Sequence, residues 1–207
     1  ARVFSHATVE ELAQWATVPV INALSDREHP IQAFADLMTL LERKGDPGPR
    51  LKLAYIGDGN NVLHALLLAC AKMGVNLSAA CPPGYLPDPE YVQLARAAAA
   101  AAGATVSVGS DPAAAVADAD ALYTDVWTSM GQEEERQARL AVFEPYRIDA
   151  KLVAKAKPDA IVMHCLPAHC GEEITQDVFD THREVIFDQA ENRMHTQKAL
   201  IALMVGL

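Results

Sequence analysis

LKLAYIGDGNNVLHALLLACAKMGVNLSAA, residues 51–80, reads as strand, turn, helix and strand in direct succession. The apolar run 51–56 suits a strand buried on both faces, 60–73 has helical apolar spacing, and 76–80 returns to a strand. Working outward, the alternation continues downstream. An alanine-rich helix is expected over 89–102, strands at 105–108 and 121–124 with a short helix 112–117 between them, and further strands at 160–163 and 184–187. A helix over 191–205 closes the chain. This pattern argues an α/β protein, a three-layer parallel sheet with helices on both faces. Upstream, Thr8-Val9-Glu10-Glu11 has the form of a capping box ahead of Leu12 and Trp15. VPVINAL at 18–24 reads as a short buried strand. His29-Pro30 opens a helix whose apolar face is Phe34, Leu37, Met38 and Leu41 and which stops near Gly45. Asp46-Pro47-Gly48-Pro49 is the clearest linker.

Composition excludes several classes of function. The chain has 207 residues and a formal net charge of −10, which makes it a poor ligand for nucleic acid or an anionic membrane surface. No apolar run approaches the roughly 20 residues of a membrane span. The four cysteines, Cys70, Cys81, Cys165 and Cys170, make no disulfide framework. A reducing, cytoplasmic setting is the simplest expectation.

In a parallel sheet, ligands bind beyond the carboxyl ends of the strands. The loops of interest are therefore 57–61, 125–131, 164–171 and 189–193. Gly57-Asp58-Gly59-Asn60-Asn61-Val62 half resembles a dinucleotide fingerprint, but Val62 stands at the third glycine position. The competing readings are a tight turn with an Asn cap and an Asn61 amide turned toward a small polar ligand. In Asp125-Val126-Trp127-Thr128-Ser129-Met130-Gly131, an Asp can accept from an ammonium group, and Ser129 with the amides around Met130 can meet a carboxylate. A side-chain-stabilised turn over a packed Trp127 is the plainer alternative. His164-Cys165-Leu166-Pro167-Ala168-His169-Cys170 invites zinc, but not at structural C-x-x-C spacing; a thiol at a strand end touching a reacting centre is the other reading. His29 and Gln32 lie one helical turn apart and can both donate to a developing oxyanion. Arg193, read as near the start of the last helix, can grip phosphate or carboxylate oxygens with two donors.

Taken together, HPIQAFADLMT at 29–39, YIGDGNNV at 55–62, DVWTSMG at 125–131, HCLPAH at 164–169 and FDQAENRMHTQKAL at 187–200 resemble the aspartate/ornithine transcarbamoylase family, and within it the ornithine carbamoyltransferases. The resemblance runs along essentially the whole chain. It implies transfer of a carbamoyl group from carbamoyl phosphate to the δ-amine of L-ornithine, with no metal or organic cofactor and a homo-oligomer, a trimer or multiple of trimers, as the usual assembly. By position it implies ornithine contacts at Asn61, Asp125, Ser129 and Met130, and carbamoyl phosphate contacts at His29, Gln32, Cys165, Leu166 and Arg193. Cys165, Asp125 and His29 would carry the chemistry. Residues 1–44 would be a remnant of the carbamoyl-phosphate domain, 50–189 the ornithine domain, and 190–207 a helix returning toward the first.

Three departures stand out. The family's Ser-Thr-Arg-Thr phosphate loop is not among these 207 residues, so poor turnover and apolar faces left uncovered on 1–44 and 190–207 are expected. Position 170 is Cys where bacterial relatives commonly carry Arg, and Ile31 replaces the usual Cys of HPCQ. A transcarbamoylase with another amine acceptor, a non-catalytic ligand-binding fragment, and a zinc module built on the His–Cys pairs are the competing functions.

Overall fold

The computed structural model describes residues 1–45, 51–128 and 136–206. Its centre is a five-stranded, wholly parallel sheet: β1 (Lys52–Ile56), β2 (Asn76–Ala80), β3 (Val106–Gly109), β4 (Ala121–Thr124) and β5 (Ile161–His164), in the spatial order β3-β2-β1-β4-β5. The chain winds from β1 outward to β3, then crosses back so that β4 pairs on the other side of β1. The crevice between the carboxyl ends of β1 and β4 is therefore the point where the winding direction reverses, the favoured ligand site of such sheets.

Strand side chains alternate between two apolar layers. Leu53 and Tyr55 join one layer with Leu63, Leu66 and Leu67 of α3 (Asn61–Lys72) and Tyr91, Ala95 and Ala99 of α4 (Pro89–Ala102). Ala54 and Ile56 join the other with Leu122, Val162, Ile148 and Ile174. The small residues of α4 let it pack closely on α3. Asn and Asp side-chain oxygens cap four of the helices. Asn60 accepts from the backbone N–H groups of Val62 and Leu63 at α3, and Asp88 accepts from that of Glu90 at α4. The short helices α5 (Pro112–Val116) and α7 (Ala150–Val153), which flank α6 (Arg136–Phe143), are capped likewise by Asp111 and Asp149.

Two expected strands are not strands. Residues 184–187 belong to α8 (Gln176–Met204), one helix of 29 residues. Nothing in that stretch is Gly or Pro, and its buried Val178, Val185, Gln189 and Asn192 recur at helical spacing, which outweighs the short β-branched run. Arg193 consequently sits in mid-helix, not near a helix start. Residues 18–24 form no ladder: Pro19 offers no N–H, Val18 is exposed, and only Leu24 makes an isolated bridge, to Arg2. The first helix, α1 (His6–Trp15), begins before the expected capping box, and its N-cap Ser5 makes no side-chain cap bond.

Helix α2 (Pro30–Lys44) packs along α8 and α3, tying the amino-terminal segment to the sheet. Phe4, Leu12, Trp15 and Val18 at one end of the chain, and Ile201, Leu203, Met204 and Val205 at the other, stand exposed. Among the described residues no helix is long and apolar enough to cross a membrane.

Candidate active site

A cleft of about 960 Å³ opens at the reversal point. Its walls include Asn61 from the β1 loop, Asp125 after β4, Cys165 and Leu166 after β5, and His29 and Arg193 from α2 and α8. Residues up to 164 positions apart in sequence thus share one cavity (His29 to Arg193, 193 − 29). Ser129 and Met130 lie outside the described residues.

Asp125 is the hub. Its Oδ1 accepts from the Cys165 thiol (2.9 Å) and from the backbone N–H of Val126 (2.8 Å), and its Oδ2 accepts from Asn60 Nδ2 (2.7 Å). Asn60 therefore does double duty, since its carbonyl caps α3 while its amide orients the acid. The thiol of Cys165 is pushed well above its ordinary pKa by burial, and further by the Asp125 charge and their hydrogen bond. Cys165 is accordingly a neutral donor and not a thiolate, which argues against it as a nucleophile or a resting metal ligand.

Asn61 lines the cleft, but its amide donates to the Ser25 carbonyl (2.7 Å), so it also anchors the amino-terminal segment. Gln32 departs further from expectation. It is buried and donates through Nε2 to Asp36 Oδ1 (2.8 Å), away from the cleft wall. The reason is a polar seam beneath the site. Asp36 also accepts from Gln189 Nε2 (2.6 Å), and Gln189 Oε1 accepts from the backbone N–H of His164 (2.9 Å). Asn192 adds bonds from α8 to Thr39 and Glu42 of α2. Burial raises the Asp36 carboxyl to about 7, against the lowering effect of the Gln32 and Gln189 bonds.

His29, at the N-cap of α2, is buried and has its pKa drawn down to about 4, first by desolvation and then by the charges of Arg193 and Arg2. Near neutral pH it is an uncharged imidazole with Nδ1 free of protein partners. Arg193 Nε is likewise buried without a partner. One more pair lines the cleft: Arg139 is nearly fully buried, is ion-paired with Asp58, donates from Nε to the Trp127 carbonyl (2.5 Å), and lies over the rings of Tyr85 and Phe143. It clamps the start of the 125–131 loop.

The glycine-rich turn after β1 is explained by packing. A Cβ on Gly59 would meet Pro87 N at 2.2 Å and the Leu86 carbonyl carbon at 2.3 Å, so the glycine admits the neighbouring loop. This, with the Asn60 cap, is the tight-turn reading and leaves no dinucleotide fingerprint to explain. The two His–Cys pairs do not converge on an ion. His164 uses both ring nitrogens inside the protein, Nδ1 toward the backbone N–H of Leu166 (2.9 Å) and Nε2 toward Glu173 (3.0 Å). Among the described residues, the grouping close enough to share an ion is instead His169, Glu172 and Glu173.

Sequence reasoning missed Asn60, Asp36, Gln189 and Arg139. Asn60 had a signal, as the residue that caps α3; the others are paired by contacts between distant segments and carried none.

The fold and cleft define a doubly wound α/β protein with a polar cleft at the topological reversal point. Comparison with known proteins then narrows the class. Residues 50–204 match the Asp/Orn binding domain of aspartate/ornithine carbamoyltransferase, and residues 1–42 match its carbamoyl-P binding domain. The chain belongs to the aspartate/ornithine carbamoyltransferase family. It is 54% identical over 206 residues to the ornithine carbamoyltransferase of Thermococcus kodakarensis, covering 100% of this chain and 65% of that protein. To the anabolic ornithine carbamoyltransferase of Pyrococcus furiosus it is 52% identical, again covering 100% of this chain and 65% of the relative. The solved structure of ornithine carbamoyltransferase from Pyrococcus furiosus superposes with a TM-score of 0.95 at 52% identity, over 100% of this chain and 66% of that one. The anabolic enzyme of Campylobacter jejuni gives 0.94 at 39% identity, over 99% and 68%. The chain thus spans about two-thirds of the length of the relatives it matches.

Proposed function

We propose that this chain carries the ornithine site of an ornithine carbamoyltransferase, which joins L-ornithine and carbamoyl phosphate to give L-citrulline and phosphate. The observation that carries this reading is Asp125, a carboxylate held by Cys165, Val126 and Asn60 at the reversal point. It offers a fixed anionic acceptor to an ammonium group, which suits a diamino acid and repels the second carboxylate of aspartate. Ser129 and Met130 are proposed to take the α-group of the substrate together with Asn61 and Asp125. His29, Gln32, Cys165, Leu166 and Arg193 are proposed to face carbamoyl phosphate, and Gln32 would have to turn from Asp36 to do so. Support for the acceptor and for the biosynthetic direction comes from the names of the relatives, one of them called anabolic. A cytoplasmic trimer, or a multiple of trimers, remains part of this proposal; the uncovered apolar ends of the chain favour assembly.

The chemistry follows from the charges. The δ-amine of ornithine resembles a lysine amine and is protonated near neutral pH, so it must lose a proton before it can attack. Having given one proton to solvent, its nitrogen bonds to the carbamoyl carbon as the carbonyl pair moves onto oxygen; the oxyanion then collapses, the bond to the phosphate oxygen breaks, and the surplus proton on nitrogen leaves with the phosphate. A neutral His29 donates to that oxyanion without adding a full charge to the cleft. Arg193 faces the departing phosphate. The rest of the cation set would come from the phosphate loop that these 207 residues lack, so turnover by the chain alone is expected to be slow.

Calorimetry of L-ornithine and L-aspartate against the 207-residue chain tests the reading. Ornithine should bind and aspartate should not. Asp125→Asn should weaken ornithine by about 10–100-fold, the worth of a charge-assisted hydrogen bond. Equal affinity for both amino acids, or an unchanged Asp125→Asn, would overturn it.

A further inference from the structure

The loop between β5 and α8 holds a group of side chains that the proposed reaction does not use. One carboxylate oxygen each from Glu172 and Glu173, and a ring nitrogen of His169, lie within 4.8 Å of one another. Glu173 is fully buried. Its Oε1 accepts from the His164 ring and from the backbone N–H of His169, but its Oε2 is buried with no partner. Glu172 repeats the arrangement, with Oε1 ion-paired to Arg136 and Oε2 shielded and unpartnered. Two neighbouring carboxylates that each keep one desolvated, unsatisfied oxygen form a costly arrangement in a folded protein. Such an arrangement is balanced when a cation accepts both oxygens. The His169 ring is exposed and lines the cleft, and so is free to complete the set.

We propose that His169, Glu172 and Glu173 form a divalent-cation site, with Zn²⁺ as the best-matched ion. The donor set is one imidazole and two carboxylates, which suits a borderline transition-metal ion better than Mg²⁺ or Ca²⁺, both of which prefer all-oxygen shells. Ligand atoms about 2.0–2.2 Å from zinc stand roughly 3.3 Å apart in a tetrahedral shell. With the three atoms within 4.8 Å of one another, closing to that spacing needs at most about 1.5 Å, shared between the exposed His169 ring and the Glu172 side chain. Glu172 can keep Arg136 on Oε1 while Oε2 turns to the ion. His164, hydrogen-bonded to Glu173 from inside, supplies the outer support that ligating carboxylates commonly receive. Three protein ligands leave a further position open. Occupancy would pin residues 169–173 and, through them, the Cys165–Leu166 turn that faces the cleft. The site uses neither cysteine of the loop.

The test is Zn²⁺ titrated calorimetrically into the metal-stripped 207-residue chain, with thermal melts alongside. The same titration is run on a Cys165→Ser/Cys170→Ser double variant, which removes thiol binding at those positions. Both proteins should bind one equivalent in the micromolar range or tighter, and both should melt at higher temperature with zinc. His169→Ala, an exposed substitution, should leave the metal-free melt unchanged and weaken zinc at least about tenfold; Glu172→Gln should weaken zinc by a similar factor. Co²⁺ in place of zinc should give ligand-field bands without a sulfur charge-transfer band. The proposal is overturned if the metal-stripped chain binds no zinc at micromolar concentrations. It is equally overturned if binding disappears in the double cysteine variant while surviving in His169→Ala and Glu172→Gln.

Discussion

The layers on the sheet and the seam between α2 and α8 are both buried, yet they are built from opposite chemistry. Leu53, Leu63, Leu66 and Leu67 fill the space between β1 and α3 with side chains that carry no polar atom. Across the seam, Gln32, Asp36, Thr39, Gln189 and Asn192 are equally hidden, and nearly every one is held by a named partner. Apolar packing is tolerant of small shifts, because its attraction has no direction. A hydrogen-bonded seam is not, because each bond fixes an angle. The layers therefore supply the bulk of the folding energy, and the seam sets how α8 sits over the strand ends where Cys165 and Asp125 meet. Stability and registration are assigned to different residues.

The largest expected effect that would sharpen this contrast lies in the apolar layer. Leu66→Ala should cost about 3 kcal/mol, within the 2–5 kcal/mol usual for a fully buried leucine. Urea melts of the 207-residue chain measure it, and a loss under about 1 kcal/mol would show that the α3 face is not the core it is taken to be.

Acid titration probes the seam and its neighbour together, and there two signs oppose. His29 folds with its pKa at about 4, below its unfolded value of 6.5, so it withholds a proton that the unfolded chain takes up. Its contribution is present above pH 6.5 and is lost as pH falls toward 4. Asp36 is the reverse: with a folded value of about 7 against 3.8 unfolded, it takes up a proton on folding, and stability from it grows as pH falls from 7 toward 3.8. Each effect is on the order of 3 kcal/mol. Between pH 6.5 and 4 they largely offset in the parent chain. His29→Gln should make the protein relatively more stable on acidification, and Asp36→Asn should make the acid loss steeper. Denaturant melts at several pH values read both slopes, and parallel pH profiles for parent and variants would remove this account of the seam.

The smallest effect is at the outer edge of the same helix pair. Arg43 is ion-paired there with Glu184 and Asp188 in partly solvated surroundings. Arg43→Ala should cost less than about 1 kcal/mol, and the difference should shrink in high salt. A larger, salt-insensitive loss would mean that registration of α8 is set at the edge and not by Asp36 and Gln189.

The same contrast explains how far the residues alone could be read. The parallel sheet was legible because β1, β2 and β4 are short apolar runs followed by helices with clear starts, and local pattern decides such elements. Asp125, Cys165, His29 and Arg193 were legible as chemistry at strand ends or helix faces, and the cleft brings them together. The reading failed where pattern was brief. Val185 and Ile186 look like a strand only until the unbroken helical spacing from Val178 to Asn192 is counted. Residues 18–24 look like a strand only if Pro19 is overlooked. The seam was not legible at all, since Gln189 reaches Asp36 across 153 positions and Gln32 is drawn off the cleft by the same acid. Pairings of that kind exist only after the helices have met.

At 29 residues and 1.5 Å per residue, α8 is a rod about 44 Å long. Its midpoint carries Gln189, Asn192 and Arg193, while its last turns present Ile201, Leu203 and Met204 to solvent. A rod transmits tilt, so whatever seats itself on those last turns acts with leverage on the guanidinium about 12 Å away along the axis. Adding or deleting a single residue between Val178 and Gln189 would turn every downstream group by about 100°, swinging Arg193 off the cleft and taking Gln189 away from the end of β5.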